Sequence, residues 1–137
     1  MHPLLGYLVV FIGAGIGGVL HHAVNRAGTA LLGTAFPWNT FFVNVTGCLV
    51  MGLLAGWFTF RGAGGGGQML RLFLLTGILG GYTTFSAFSL DMALLWERGA
   101  IGPCLSYGIA SVGLSILGVF SGLALIRMTV QAAGVAS

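Results

Sequence analysis

Residues 71 to 91 read Arg71-Leu72-Phe73-Leu74-Leu75-Thr76-Gly77-Ile78-Leu79-Gly80-Gly81-Tyr82-Thr83-Thr84-Phe85-Ser86-Ala87-Phe88-Ser89-Leu90-Asp91. The stretch is nearly free of charge and long enough to bridge a bilayer, yet paired glycines and paired threonines interrupt its middle. A hydrocarbon core of about 30 Å needs roughly 20 mostly apolar residues per helix. Irregular backbone at that depth persists only where protein buries it or water reaches it. Two readings follow: Gly80 and Gly81 break the helix and free carbonyls that can hold a cation, or they only let another helix pack closely.

Working outward, this run belongs to a third apolar span, from Leu70 to Trp96. Three others flank it, from about Leu4 to Val24, from Trp38 to Phe60 and from Gly102 to Ile126. The expected fold is all-α: a single four-helix transmembrane domain filling residues 1–137, with the third helix broken at mid-membrane. Arg61-Gly62-Ala63-Gly64-Gly65-Gly66-Gly67 reads as a flexible linker. Pro37 and Pro103 stand where proline suits a helix start. Trp38, Trp57 and Trp96 fall near span ends, as interfacial aromatics do.

Composition agrees. Charged residues are 5% of the chain and hydrophobic residues 57%, with mean hydropathy +1.03. A soluble domain carries about 25% charged residues and uses them to cover its surface. The net charge of +3 comes from five scattered arginines and no lysine, which is no nucleic-acid footprint. The first span lacks a basic leader and a small-residue cleavage site, so no cleavable signal is expected. Cys48 and Cys104 match no ligand or redox spacing and read as small apolar residues.

With four spans, both termini and the linker share one side with Arg61, Arg71 and Arg127; Arg26 and Arg98 lie opposite. Orientation follows such a bias, and three against two is almost none. A chain like this can insert both ways, and two copies can then pair antiparallel.

Polar groups at membrane depth face protein or a pore. Thr40 and Asn44 share one face of the second span, and Tyr107, Ser111 and Ser115 make a stripe on the fourth. Phe85 and Phe88 share a face of the third, with Ser86 and Ser89 beside it. The hydroxyls serve either as interhelical glue or as a lining of donors without fixed charge, which suits a small anion. The phenyl rings either pack the core or offer their positive edges to that anion. His21 and His22 lack further metal ligands. Asp91 either pairs with an arginine or lines a vestibule. No paired carboxylates, Gly-x-Ser-x-Gly elbow or phosphate-binding loop points to an enzyme.

Gly80-Gly81-Tyr82-Thr83-Thr84-Phe85-Ser86-Ala87-Phe88-Ser89-Leu90-Asp91 resembles the Gly-Gly-x-Thr-Thr-Phe-Ser-Thr-Phe-Ser-x-Glu signature of the CrcB/Fluc family of fluoride channels. Ala87 replaces its third threonine and Asp91 its glutamate. Asn39-Thr40-Phe41-Phe42-Val43-Asn44-Val45-Thr46-Gly47 is similar to the family's Gly-Thr-Leu-x-Val-Asn-x-x-Gly, with Asn39 at the first glycine. Gly13 to His21 resembles its Gly-Ala-x-x-Arg, with His21 in place of arginine and Arg26 a turn or so beyond. The resemblance implies an antiparallel, dual-topology homodimer in a bacterial inner membrane, exporting fluoride passively through two pores at the subunit interface. It implies a structural Na⁺ held by the backbone carbonyls of Gly80 and Thr83. It assigns fluoride contacts to Asn44, Phe85, Phe88 and Ser86, and a path along Thr40, Tyr107, Ser111 and Ser115. A small proton-coupled multidrug exporter would need a carboxylate in the first span, and none stands between Met1 and Arg26. A membrane anchor would explain the hydrophobicity but not the interrupted third span.

Overall fold

The computed structural model describes residues 3–60 and 67–135. Arg61 and the linker up to Gly66 lie outside the described residues. Every described element is helical: α1 (Pro3–Leu32), α2 (Trp38–Phe60), α3 (Gly67–Arg71), a π-helical stretch (Leu72–Leu79), α4 (Gly80–Tyr82), α5 (Phe85–Glu97) and α6 (Ile101–Val135). They make four segments long and apolar enough to cross a membrane: Leu4–Leu32, Trp38–Phe60, Gly67–Glu97 and Ile101–Gly134. The first and last helices continue past Val24 and Ile126, because a helix need not stop where lipid does.

The turns have local causes. Gly33 ends α1 at φ +73°, its N–H donating to the Thr29 carbonyl at 3.1 Å; glycine is the residue that enters this left-handed region without a Cβ penalty. Gly99, at φ +71°, closes α5 in the same way. There the Gly99 N–H meets the Trp96 carbonyl (2.9 Å) and the Ala100 N–H the Leu95 carbonyl (3.0 Å). This paired closure is the Schellman arrangement, and it sends α6 straight back along α5.

Packing rests on close backbone approach. In lipid, apolar burial drives little association, so small residues that let backbones touch carry the contact. A Cβ on Gly17 would strike the Ile78 carbonyl, and one on Gly81 the Ala14 carbonyl. These two positions seat α1 on the 67–82 half of the third segment, while α2 lies along α6. The buried apolar set is small: Val43, Leu79, Phe88, Leu95, Cys104 and Tyr107. Phe11, Val19, Leu31 and Phe120 are among the many large side chains left exposed, as expected where the surroundings are acyl chains.

The π-helical stretch just before the glycine pair had no counterpart in the sequence reading. Such turns are rare and often mark functional sites. Nothing in Leu72–Leu79 announces it in composition; the segment bends its register where Gly77 meets Gly13, with a Cβ on Gly77 falling 2.9 Å from the Gly13 Cα.

Candidate functional site: the interrupted third helix and its cavity

About halfway along the third segment the helix stops at Tyr82 and resumes at Phe85. Thr83 (φ −82°, ψ 155°) and Thr84 (φ −150°, ψ 118°) are extended. The local sequence favours this. Thr84 is the N-cap of α5, its Oγ1 accepting the Ala87 N–H at 3.2 Å, the service that Thr provides at helix starts. Ser86 Oγ lies 3.2 Å from the same hydroxyl. Thr83 closes the preceding turn, its N–H and its Oγ1 both donating to the Leu79 carbonyl at 3.0 Å.

Asn44 clamps the break from α2. Its Nδ2 donates to the Thr84 carbonyl at 2.9 Å, and its Oδ1 accepts the Thr84 N–H at 2.8 Å. Because one backbone residue supplies both an acceptor and a donor, the orientation of the amide is fixed. One N–H of the amide remains for another acceptor, since the group has two. α1 contributes His21, whose Nδ1 lies 2.8 Å from the Tyr82 carbonyl. A carbonyl only accepts, so Nδ1 carries the proton and Nε2 accepts from Asn25 Nδ2 at 3.0 Å.

These bonds leave carbonyls at the break without their helical donors. In a continuous helix the Thr84 N–H would serve the Gly80 carbonyl and the Ala87 N–H the Thr83 carbonyl. Here the first is taken by Asn44 and the second by Thr84 Oγ1. Gly80 and Thr83 therefore lose their helical donors, which unwound backbone must recover from another partner. The donor chemistry fits a hard monovalent cation: neutral carbonyl oxygens and no carboxylate. Among the described residues no cluster of three His, Cys, Asp or Glu side chains offers a different metal site.

Beside the break lies an open cavity of about 290 Å³, lined by Asn44, Cys48, Thr83, Thr84, Phe85, Phe88, Ser111, Val112, Ser115 and Ile116. It gathers five of the residues picked out from spacing: Asn44, Phe85, Phe88, Ser111 and Ser115. Phe85 is 77% exposed while Phe88 is buried, their ring centroids 5.5 Å apart. Ser111 is 3% exposed, and its Oγ has no hydrogen-bond partner among the described residues. The Tyr107 hydroxyl stands near it, and a buried hydroxyl without a well-formed hydrogen bond costs free energy that a ligand accepting its proton can recover.

The other residues stand around this cavity. Thr40 and Tyr107 are buried one layer away, Thr40 beside the Tyr107 hydroxyl. The Tyr107 ring packs on Phe88 (5.2 Å) and edge-on to Phe36 (5.5 Å), and its Oη donates to Asp91 Oδ2 at 3.1 Å. Asp91 thus has a tyrosine for a partner, and with Arg98 it lines a smaller hollow of about 70 Å³. Ser86 is exposed outside the cavity. Sequence reasoning missed Cys48, although it follows Asn44 by four residues and so shares its face. It also missed the link from His21 through Asn25 to the second span, where Asn39 Nδ2 donates to the Asn25 carbonyl (3.2 Å) and to Thr29 Oγ1 (2.8 Å). No periodicity marks that contact, which depends on how α1 and α2 cross.

A bundle of four apolar helices, each long enough to cross a bilayer, with one of them interrupted beside a cavity, is a multi-pass membrane protein. Residues 8–123 match the family described as CrcB-like protein, Camphor Resistance (CrcB). The chain is 61% identical over 121 residues to the fluoride-specific ion channel FluC of Rhodopseudomonas palustris (strain BisB5), covering 88% of this chain and 96% of that one. It is 55% identical over 123 residues to fluoride-specific ion channel FluC 2 of Nitrobacter hamburgensis, covering 90% and 98%. With the FluC of Mesorhizobium japonicum it shares 45% over 124 residues, again 90% and 98%. The chain belongs to the CrcB family of ion channels.

Proposed function

We propose that the protein is a fluoride-selective channel that lowers cytoplasmic fluoride by passive exit across a bacterial inner membrane. Two copies pair antiparallel, and two pores run at their interface. The cavity beside the break carries this reading: its donors are neutral, and its wall is half open. Fluoride is small and strongly hydrated, so several donors must replace its water at once. A fixed cation in the wall would hold it too tightly, since conduction needs binding weak enough to leave. The spare N–H of Asn44, the unpaired Ser111 hydroxyl, Ser115 and the phenyl edges of Phe85 and Phe88 meet that requirement. Ser86, Thr40 and Tyr107 extend the path on either side.

The second copy closes the open wall. Phe85, 77% exposed in one chain, lines a pore only if something covers it. Low arginine bias supports the antiparallel arrangement. The Gly80 and Thr83 carbonyls of both copies would hold the structural Na⁺ at mid-membrane. Bound there, the ion supplies positive charge to oxygens that have lost their helical donors.

Purified protein in liposomes loaded with fluoride tests the proposal with a fluoride electrode. Efflux that needs no proton gradient and leaves chloride behind supports a selective channel. Efflux that appears only with a proton gradient makes it an exporter, and no efflux leaves a membrane anchor.

A further inference from the structure

His21 on α1 and Asn39 on α2, two of the positions where the sequence differs from the motifs it otherwise resembles, are joined in the structure. His21 caps the Tyr82 carbonyl through Nδ1 and takes a hydrogen bond from Asn25 at Nε2. Asn25 is in turn gripped through its backbone carbonyl by Asn39, which also reaches Thr29. Gly28 makes room for this: a Cβ there would strike the Asn39 amide oxygen. The chain of contacts runs from the α1–α2 crossing to the break and ends on one specific oxygen.

The choice of that oxygen matters. Where the helix stops, the last carbonyls all lack their usual partners. Tyr82 lies between Gly80 and Thr83, and without a cap its carbonyl competes for the same cation. We propose that His21 is a positioning residue that sorts these carbonyls. By holding Tyr82 it keeps that oxygen out of the cation's ligand set, and the contacts through Asn25 and Asn39 hold the imidazole in place against the α1–α2 crossing. With the proton on Nε2 instead, the Nδ1 lone pair faces the Tyr82 lone pairs and the cap is lost. The Tyr82 carbonyl only accepts, so it selects the Nδ1–H form, and Asn25 Nδ2 meets the Nε2 that this leaves free to accept. The inference rests on the reading of Gly80 and Thr83 as sodium ligands given above.

The test uses the purified full-length protein with its thermal unfolding midpoint followed against NaCl, then KCl, in an organic-cation background. Flux is not the readout. Wild type shows saturable stabilisation by Na⁺ at concentrations where K⁺ gives little. His21→Phe keeps the ring but loses the donor; its half-saturating Na⁺ rises at least tenfold and its preference for Na⁺ over K⁺ shrinks. His21→Arg restores a donor, and the half-saturating Na⁺ returns to within about threefold of wild type. Asn25→Leu leaves the imidazole but removes its Nε2 contact and shifts Na⁺ about threefold, which decides the matter should His21→Phe not fold. Unchanged sodium curves in His21→Phe, or in Asn25→Leu where that variant decides, overturn the sorting role while the sodium site stands. Wild type indifferent to Na⁺ overturns the site itself and this role with it.

Discussion

Asn44→Asp separates two tasks of one side chain. In the folded chain the amide accepts the Thr84 N–H through Oδ1 and donates to the Thr84 carbonyl through Nδ2. Aspartate keeps the first bond and loses the second, a loss of about 1 kcal/mol, so the protein should still fold. The effect on conduction is larger. A cavity of about 290 Å³ has a radius of about 4 Å, so an ion inside it stands about that far from a lining carboxylate, and like charges at that range repel by about 4 kcal/mol at an effective dielectric of about 20. At about 1.4 kcal/mol per tenfold, fluoride occupancy falls about a thousandfold. Liposome efflux read with a fluoride electrode should therefore drop to near background, while size-exclusion matches wild type and thermal unfolding shows no more than the loss of about 1 kcal/mol from the missing bond. Lowering the pH should restore flux, measured against protein-free liposomes to subtract HF leakage. A protonated aspartate is neutral and can again donate to the Thr84 carbonyl. Wild-type efflux at neutral pH from a folded variant would show that this amide does not face the ion.

Ser111→Ala should leave stability unchanged or slightly raised, because the hydroxyl it removes is buried without a partner, while fluoride flux falls about tenfold or more; equal flux would return Ser111 to the packing. Phe85→Ile and Phe88→Ile should both cut flux sharply. Only Phe88→Ile should also destabilise the fold, by about 1–2 kcal/mol, since its ring packs on Tyr107 and that of Phe85 is exposed. Unfolding and efflux measured on the same samples check the split. Thr84→Ala removes the cap of α5 and should cost about 1 kcal/mol in thermal unfolding; no change would mean the second half-helix starts without it.

The four segments were legible because lipid imposes a length and a composition, and few other folds satisfy both. The break was legible as a choice. Gly80-Gly81 and Thr83-Thr84 weaken a helix, and the structure shows each pair doing a different thing: Gly81 seats α1, while Thr83 and Thr84 carry the extended backbone. Spacing also put Asn44, Ser111 and Ser115 on inward faces, where the cavity collects them. It could not show that the Asn44 amide is spent largely on Thr84, since a side chain's partner across 40 residues leaves no local trace. The same holds for Asp91, expected to pair with an arginine or line a vestibule: its carboxylate takes the Tyr107 hydroxyl from α6, and with Arg98 it lines a small hollow. Cys48 was within reach, four residues past Asn44, but an apolar thiol in an apolar run draws no notice. The π-helical Leu72–Leu79 was out of reach, because its extra residue per turn comes from tertiary fit and not from side-chain type.

The central claim is that fluoride crosses this protein alone, down its own gradient and as an ion. A planar bilayer holding the purified protein, with equal pH and chloride on both sides and a tenfold fluoride gradient, measures that directly. A fluoride-selective channel must show a reversal potential of about 59 mV, the one-electron-charge value for a tenfold ratio. A reversal potential near zero, or one that follows an imposed pH difference instead, would contradict it.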